Sequence, residues 1–326
     1  MNVPKPSAGL VKDVPKPSGG LKGLQKLDIH EPKPIDGDFT TKSSIEEQRK
    51  SHERAKSYLE QKLRSIGAEV IFVSNQLKHN QVQYNGTSIT DLDQDIFSYE
   101  LTKGVELDIR KDGKTPDRIV LYGVASQFNG AESLGRFTVP PGQAVGTYTG
   151  DNTQGPKAQL AFPDEQVEII NNAANLGFNG LCGVLDTKTK NAVCHGYLTP
   201  RTSEQAELVI KQLKDQDHSI EYLCVGNIPK GKGNIQRVYE ILVAAPAFGM
   251  YNLSSKVTEE QKKEIAYLCA VRGYSAQFEQ ALKLAEENPD TCVILKLTAP
   301  GLGVFGNDIE MVAKGFIQQP KSMNRS

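Results

Sequence analysis

Three glycines fall within six residues in the run Pro300-Gly-Leu-Gly-Val-Phe-Gly-Asn-Asp308. Glycine admits positive φ and puts no side chain between backbone and ligand, so such a run can turn its amide N–H groups outward as an anion-binding nest. A helix expected from Ile309 to Gln318 adds its N-terminal amides, and the combination suits a diphosphate. Contacts to it would come from Gly301, Gly303, Val304, Gly306 and Asn307, while Phe305 would pack against a ribose or base. No Gly-Lys-Ser/Thr follows, which excludes a P-loop, and the run is read as distinct from a dinucleotide-binding turn. Two plainer readings stand beside these: an empty glycine-rich turn, and Asp308 as the N-cap of the following helix.

The elements that must present this loop lie on either side of it. Cys292-Val-Ile-Leu-Lys-Leu297 reads as a buried strand stopped by Thr298-Ala-Pro-Gly301, and Val238 to Ala245 as another, stopped by Pro246. Between them Thr258 to Asn288 has helical spacing, with Glu259 and Glu260 at its start and Leu268, Phe278, Leu282 and Leu284 at apolar positions. Strand, helix, strand with a right-handed crossover places the glycine loop at a strand's C-terminal end, where open α/β sheets bind ligands. Arg118 to Ala125, β-branched and apolar, reads as the strand at the sheet's centre. Upstream, Ser43-Ser-Ile-Glu-Glu47 opens a helix that runs to Ile66 and stops at Gly67, followed by a strand from Ala68 to Ser74. Ile96 to Arg110 reads as less regular.

A second, polar loop should face the glycine loop, and two segments compete for it. Val167-Glu-Ile-Ile-Asn-Asn-Ala-Ala-Asn175, with Leu176 to Gly183 and Asp186 beyond, offers asparagines and a glycine-rich stretch. Gln127-Phe-Asn-Gly-Ala-Glu132 follows the better strand, whereas Asp164 to Asn175 has helical spacing and an acidic first turn. The second segment is therefore preferred. Tyr148-Thr-Gly-Asp-Asn-Thr-Gln-Gly-Pro156 is equally rich in carboxamides and hydroxyls, which are costly to bury without partners.

Composition narrows the classes. At 326 residues the chain can bury one large α/β core or two modest ones. Thirty-eight basic against 39 acidic side chains give a net charge of -1, which offers no pull towards nucleic acid or anionic lipid. The five cysteines form no CxxC pair and suit free thiols in a reducing, cytoplasmic setting. No apolar run reaches the length of a membrane span. The five histidines are scattered without metal-ligand spacing, so neither metal nor cofactor is expected. Cys194-His195 alternates faces on a strand and makes no thiol–imidazole pair. Lys230-Gly-Lys-Gly-Asn234 reads as a solvated basic turn.

Taken together, the Gln-Phe-Asn, Thr-Gln-Gly-Pro and Phe-Gly-Asn-Asp blocks resemble, in order, those of a divergent group of MavL-like bacterial effector ADP-ribosylhydrolases. The Gly-x-Gly-x-Phe-Gly loop resembles the second phosphate loop of macrodomains, and Gly-Val-Phe-Gly-Asn-Asp that of poly(ADP-ribose) glycohydrolases. The resemblance covers roughly residues 118–316 and is firmest over the last seventy or so. It implies a macrodomain-like three-layer α/β/α fold over 113–326 with a mixed sheet; ahead of it, the capping and spacing signals give a helical N-terminal extension over 41–112, and the proline density gives a disordered Pro/Lys/Gly-rich tail over 1–40. That tail repeats Val-Pro-Lys-Pro-Ser at 3–7 and 14–18, and is read as a linker or docking spacer.

The function implied is removal of ADP-ribose from an ADP-ribosylated protein, with ubiquitin the candidate, by a monomer with no nucleic-acid or membrane partner. Gln127, Asn129, Thr153 and Gln154 would face the nucleotide. Cleavage through an oxocarbenium-like state needs carboxylates to direct water and balance charge; Asp308, Glu132 and Asp151 are the candidates, in that order. Likeness to effectors also implies delivery into a host cell. The glycine triplet and Gln-Glu-Glu signature of chain-cleaving glycohydrolases are absent, so a single ADP-ribose is the expected leaving unit. A non-catalytic ADP-ribose reader is the alternative.

Overall fold

The structure is a computed structural model that describes residues 44–76, 105–113, 118–131, 154–194, 196–227, 238–249, 256–303 and 305–323. The N-terminal tail and the turn from Lys230 to Asn234 lie outside them.

Local signals build the first elements. Helix α1 (Ile45–Ser65) opens on a capping box in which Ser44 and Glu47 satisfy each other's backbone amides, and the chain leaves it through Gly67 at φ 81°. Ala55, Leu59 and Leu63 recur every fourth residue and are fully buried, each leucine stabilising by roughly 1.5–3 kcal/mol relative to exposure. Strand β1 (Glu69–Gln76) follows. Helix α2 (Val105–Asp112) occupies the end of the stretch expected to be irregular. It is tied to the sheet by Asp112, which accepts the Tyr122 hydroxyl and pairs with Lys296 at 2.6 Å.

Strand β2 (Arg118–Ser126) is the apolar run expected at the centre; it lies inside the sheet, one place from the centre. After it come the short α3 (Gln154–Gln159), α4 (Asp164–Leu176), the two-residue strands β3 (Val193–Cys194) and β4 (Tyr197–Leu198), and α5 (Ser203–Lys214). The last part is β5 (Ser219–Asn227), β6 (Val238–Ala244), α6 (Glu259–Glu287), β7 (Cys292–Lys296) and α7 (Ile309–Met323). Asn171 to Asn175 lie within α4, where Asn171 Nδ2 donates to the Val167 carbonyl, so the Asn-Asn-Ala-Ala-Asn run is helix and not a ribose-reading loop.

The main sheet has the order β1-β5-β6-β2-β7 and is mixed: β1, β5 and β6 are antiparallel neighbours, whereas β6, β2 and β7 run parallel. Helices cover both faces. Ile119, Leu121, Tyr239, Ile241 and Val243 point towards α5 and α6, and Val120, Tyr122, Val124, Val238 and Leu242 towards α1, α3 and α4, as the two-residue period of a strand dictates. Two expectations change. β1 is hydrogen-bonded to β5 and α1 packs beside it, so residues 44–112 supply a strand of the central sheet in addition to helix. β7 was expected to be buried, but among the described strands it pairs with β2 alone; it forms an edge with Cys292 exposed and the rest half-buried. The crossover from β6 through α6 to β7 skips over β2, which lies between the two strands.

Buried polar groups are handled in two ways. Arg272 of α6 is fully enclosed, and its guanidinium donates to the carbonyls of Leu213, Asn75, His218 and Asp215, closing the C-terminal end of α5. Glu240 of β6 instead accepts from Gln166 of α4, and burial pushes its carboxyl up to about 8, against the lowering effect of Gln166. A proton on Glu240 at neutral pH removes the cost of an isolated buried charge. All five cysteines are free, and among the described residues no helix is long and apolar enough to cross a membrane.

Candidate functional site

The three parallel strands end on one edge of the sheet, and each leads into a loop of small or polar residues: 127–131 after β2, 245–249 after β6 and 297–308 after β7. Helices α6 and α7 start on this edge because each follows or returns to a parallel strand there.

The glycine loop is held by its own backbone. The Asn307 amide donates to the Gly301 carbonyl at 3.0 Å and the Gly306 amide to the Gly303 carbonyl at 3.0 Å. Asn307 Nδ2 donates to the Pro246 carbonyl at 2.9 Å, and the Phe305 carbonyl accepts from the amides of Phe248 and Gly249. Two of the three glycines have internal reasons to be glycine. Gly301 has φ 84° and a Cβ there would meet the Asn307 carboxamide; Gly306 has φ 64° and a Cβ there would fall 2.9 Å from Gly249 Cα. Gly303 has neither reason: its φ lies outside the left-handed region and a Cβ would meet nothing within 4 Å among the described residues. None of the described residues demands glycine at that exposed position.

The spacing Gly301-x-Gly303-x-x-Gly306 is the G-x-G-x-x-G of dinucleotide turns, so spacing cannot set the loop apart from them. Placement does. A dinucleotide turn joins strand to helix directly through its glycines, whereas four residues separate β7 from Gly301 and α7 begins only at Ile309.

Asp308 takes the capping role. Its Oδ1 accepts from the amides of Glu310 at 2.9 Å and Met311 at 3.2 Å, and Oδ2 lies 3.3 Å from Lys263 Nζ on α6. Partial burial pushes the carboxyl up, but the Lys263 hydrogen bond, those of the Met311 and Glu310 amides and the Lys263 charge outweigh it, so its pKa lies below the ordinary aspartate value. Asp308 is a carboxylate at neutral pH, a weak base and a fixed negative charge.

The loop after β2 turns inward. Gln127 and Asn129 are 3% and 7% exposed; Gln127 Nε2 donates to the Tyr197 hydroxyl at 2.8 Å, and Asn129 Oδ1 accepts from the Ala131 amide at 3.1 Å. Gly130, at φ 74°, makes the turn that brings its amide to the Gln127 carbonyl. Both carboxamides thus work inside the protein in this structure. Phe305 is partly buried, its ring edge-on to Tyr197 with centroids 5.6 Å apart. Of the remaining candidates, Glu132, Asp151, Thr153 and Val304 lie outside the described residues, as does the side chain of Gln154, the first residue of α3.

Tyr197, a residue the motif reading missed, touches both loops, and Lys263 pairs with Asp308. A tyrosine alone in sequence and a lysine one turn into a helix carry no local signal. A third cluster borders the loop after β2: Gly180 donates to the Phe128 carbonyl, and the neighbouring Asn179 amide donates to His52 Nδ1. That leaves the His52 proton on Nε2, which meets Glu221 Oε1 at 3.0 Å while Lys56 holds Oε2 at 2.8 Å. Both ring nitrogens of His52 are thus occupied within the protein, and burial pushes the Cys182 thiol up to about 11. Asp186 accepts from the Lys188 and Thr189 amides and closes its own turn. Among the described residues no His, Cys, Asp and Glu side chains group as a metal site.

No protein-family model, curated protein or solved structure matches this chain.

Proposed function

We propose that the edge where β2, β6 and β7 end binds ADP-ribose, with the diphosphate on the amides around Gly303, and that the protein removes ADP-ribose from a modified protein, ubiquitin being the first to test. The observation that carries this reading is Gly303: the loop's other two glycines serve internal packing, and this one is exposed, with no described residue against a Cβ built there, in the loop that leads into α7. A mixed sheet covered by helices on both faces, with a glycine loop between its edge strand and its last helix, is what a macrodomain-like fold requires, and it supports that assignment.

In this reading Asp308 is a counter-charge. Its depressed pKa suits it to stabilise positive charge developing on the ribose, and proton transfer falls to Glu132 or Asp151. The capping bonds of Asp308 favour a second reading, a binding module without turnover, because they give this carboxylate a complete structural role. Two measurements separate the readings. Calorimetric titration with ADP-ribose is expected to show saturable 1:1 binding, and incubation with ADP-ribosylated ubiquitin to release free ADP-ribose. Binding without release across several modified proteins selects the reader; no binding at millimolar ligand removes both.

A further inference from the structure

The β3–β4 hairpin is the smaller of the two sheets among the described residues, yet it meets all three loops of the candidate site. Gly196, at φ 82°, makes the turn between Cys194 and Tyr197; its carbonyl accepts from the Phe128 amide at 3.0 Å, and a Cβ on it would fall 2.5 Å from the Asn129 carboxamide. The Leu198 carbonyl accepts from the Ala247 amide in the loop after β6. Tyr197, 2% exposed, accepts the Gln127 carboxamide on its hydroxyl and sets its ring against Phe305, whose carbonyl in turn holds the amides of Phe248 and Gly249.

We infer that Tyr197 is a positioning residue of this site. With its hydroxyl on one loop and its ring on another, it sets the separation of the loops after β2 and β7 and thereby the affinity for the ADP-ribosyl group. The physical basis is that loops held only at their ends sample many conformations, whereas a rigid aromatic side chain fixed at two points removes that freedom before a ligand arrives. This inference rests on the site being an ADP-ribose cleft.

The test compares Tyr197→Phe with Tyr239→Phe in the full chain. Tyr239 is also buried, and its hydroxyl bonds Glu69 at 2.6 Å near the opposite end of β6, so the second variant loses a comparable bond away from the loops. In the ligand-free protein, Tyr197→Phe is expected to speed hydrogen exchange both at Phe128 and Gly130 and at Phe248 and Gly249, and Tyr239→Phe at neither pair. Unchanged exchange at either pair in Tyr197→Phe overturns the coupling. With ADP-ribose, Tyr197→Phe is expected to raise Kd by about tenfold, of the order that loss of one buried hydrogen bond produces, and Tyr239→Phe to leave it unchanged. Equal Kd in Tyr197→Phe and wild type, or equal weakening in the two variants, overturns the positioning role. If wild type itself binds no ADP-ribose, the ligand assignment falls and the positioning of that ligand with it, while the exchange data still decide whether the hairpin couples the loops.

Discussion

The loops that follow β2 and β7 leave neighbouring parallel strands at the same edge of the sheet, and they use their polar groups in opposite directions. After β2, Gln127 and Asn129 are almost fully enclosed and bond Tyr197 and Ala131. After β7, Gly303 is exposed with no described residue within 4 Å of a Cβ built on it, and the Asp308 side chain is 29% exposed at the start of α7. The difference follows from position in the sheet. β2 is flanked on both sides, and its loop is bonded by the β3–β4 hairpin and by Gly180, whereas β7 pairs with β2 alone among the described strands. The carboxamides of Gln127 and Asn129 thus each hold the loop after β2 together, whereas the glycine loop carries the exposed backbone.

Replacements on the two loops should separate these roles. Asn129→Ala removes the acceptor of a buried amide and is expected to cost about 1–3 kcal/mol in urea unfolding; a loss within error would break the claim that Asn129 holds the first loop together. Asp308→Ala is expected to cost about 1 kcal/mol at pH 7, the usual value of a helix cap. Because its folded pKa lies below the unfolded value, that contribution is present above pH 4 or so and is lost as pH falls through the folded value. The gap between wild type and Asp308→Ala should therefore narrow as pH falls below the ordinary aspartate range and close once the folded carboxyl is protonated. Glu240 shapes the background with the opposite sign: its raised pKa gives stability that is fully present below about pH 4.5 and lost as pH rises through about 8, so the Asp308 effect is read as a difference between the two proteins at each pH.

Gly303→Ala should have the smallest effect on the fold. Its stability is expected to stay within about 0.5 kcal/mol of wild type, since the added methyl meets no atom of the described residues. Affinity for ADP-ribose should nonetheless fall more than about tenfold, the scale of one lost close contact. Unchanged affinity would move the diphosphate elsewhere and leave the exposed glycine as a plain turn.

Much of this architecture was legible because its signals are short-range. Ser44 with Glu47, Gly67, Thr258 with Gln261 and the acidic first turn of α4 each act over about one helical turn, and the structure places caps and helices where those residues call for them. The same reasoning separated the Asn-Asn-Ala-Ala-Asn helix from the strand at Arg118 to Ser126. What tertiary structure alone decided is pairing: that β1 joins β5 at one end of the sheet, that β2 sits between β6 and β7, and that apolar β7 is an edge among the described strands. Hydrogen bonding between strands is indifferent to distance along the chain, so no local pattern encodes which strand lies beside which. The site divides in the same way. The glycines and the Asp308 cap are written in consecutive residues, but the inward turn of Gln127, the bridge through Tyr197 and the Lys263 partner of Asp308 join segments 45 residues or more apart. They exist only because the folded sheet brings those segments to one edge.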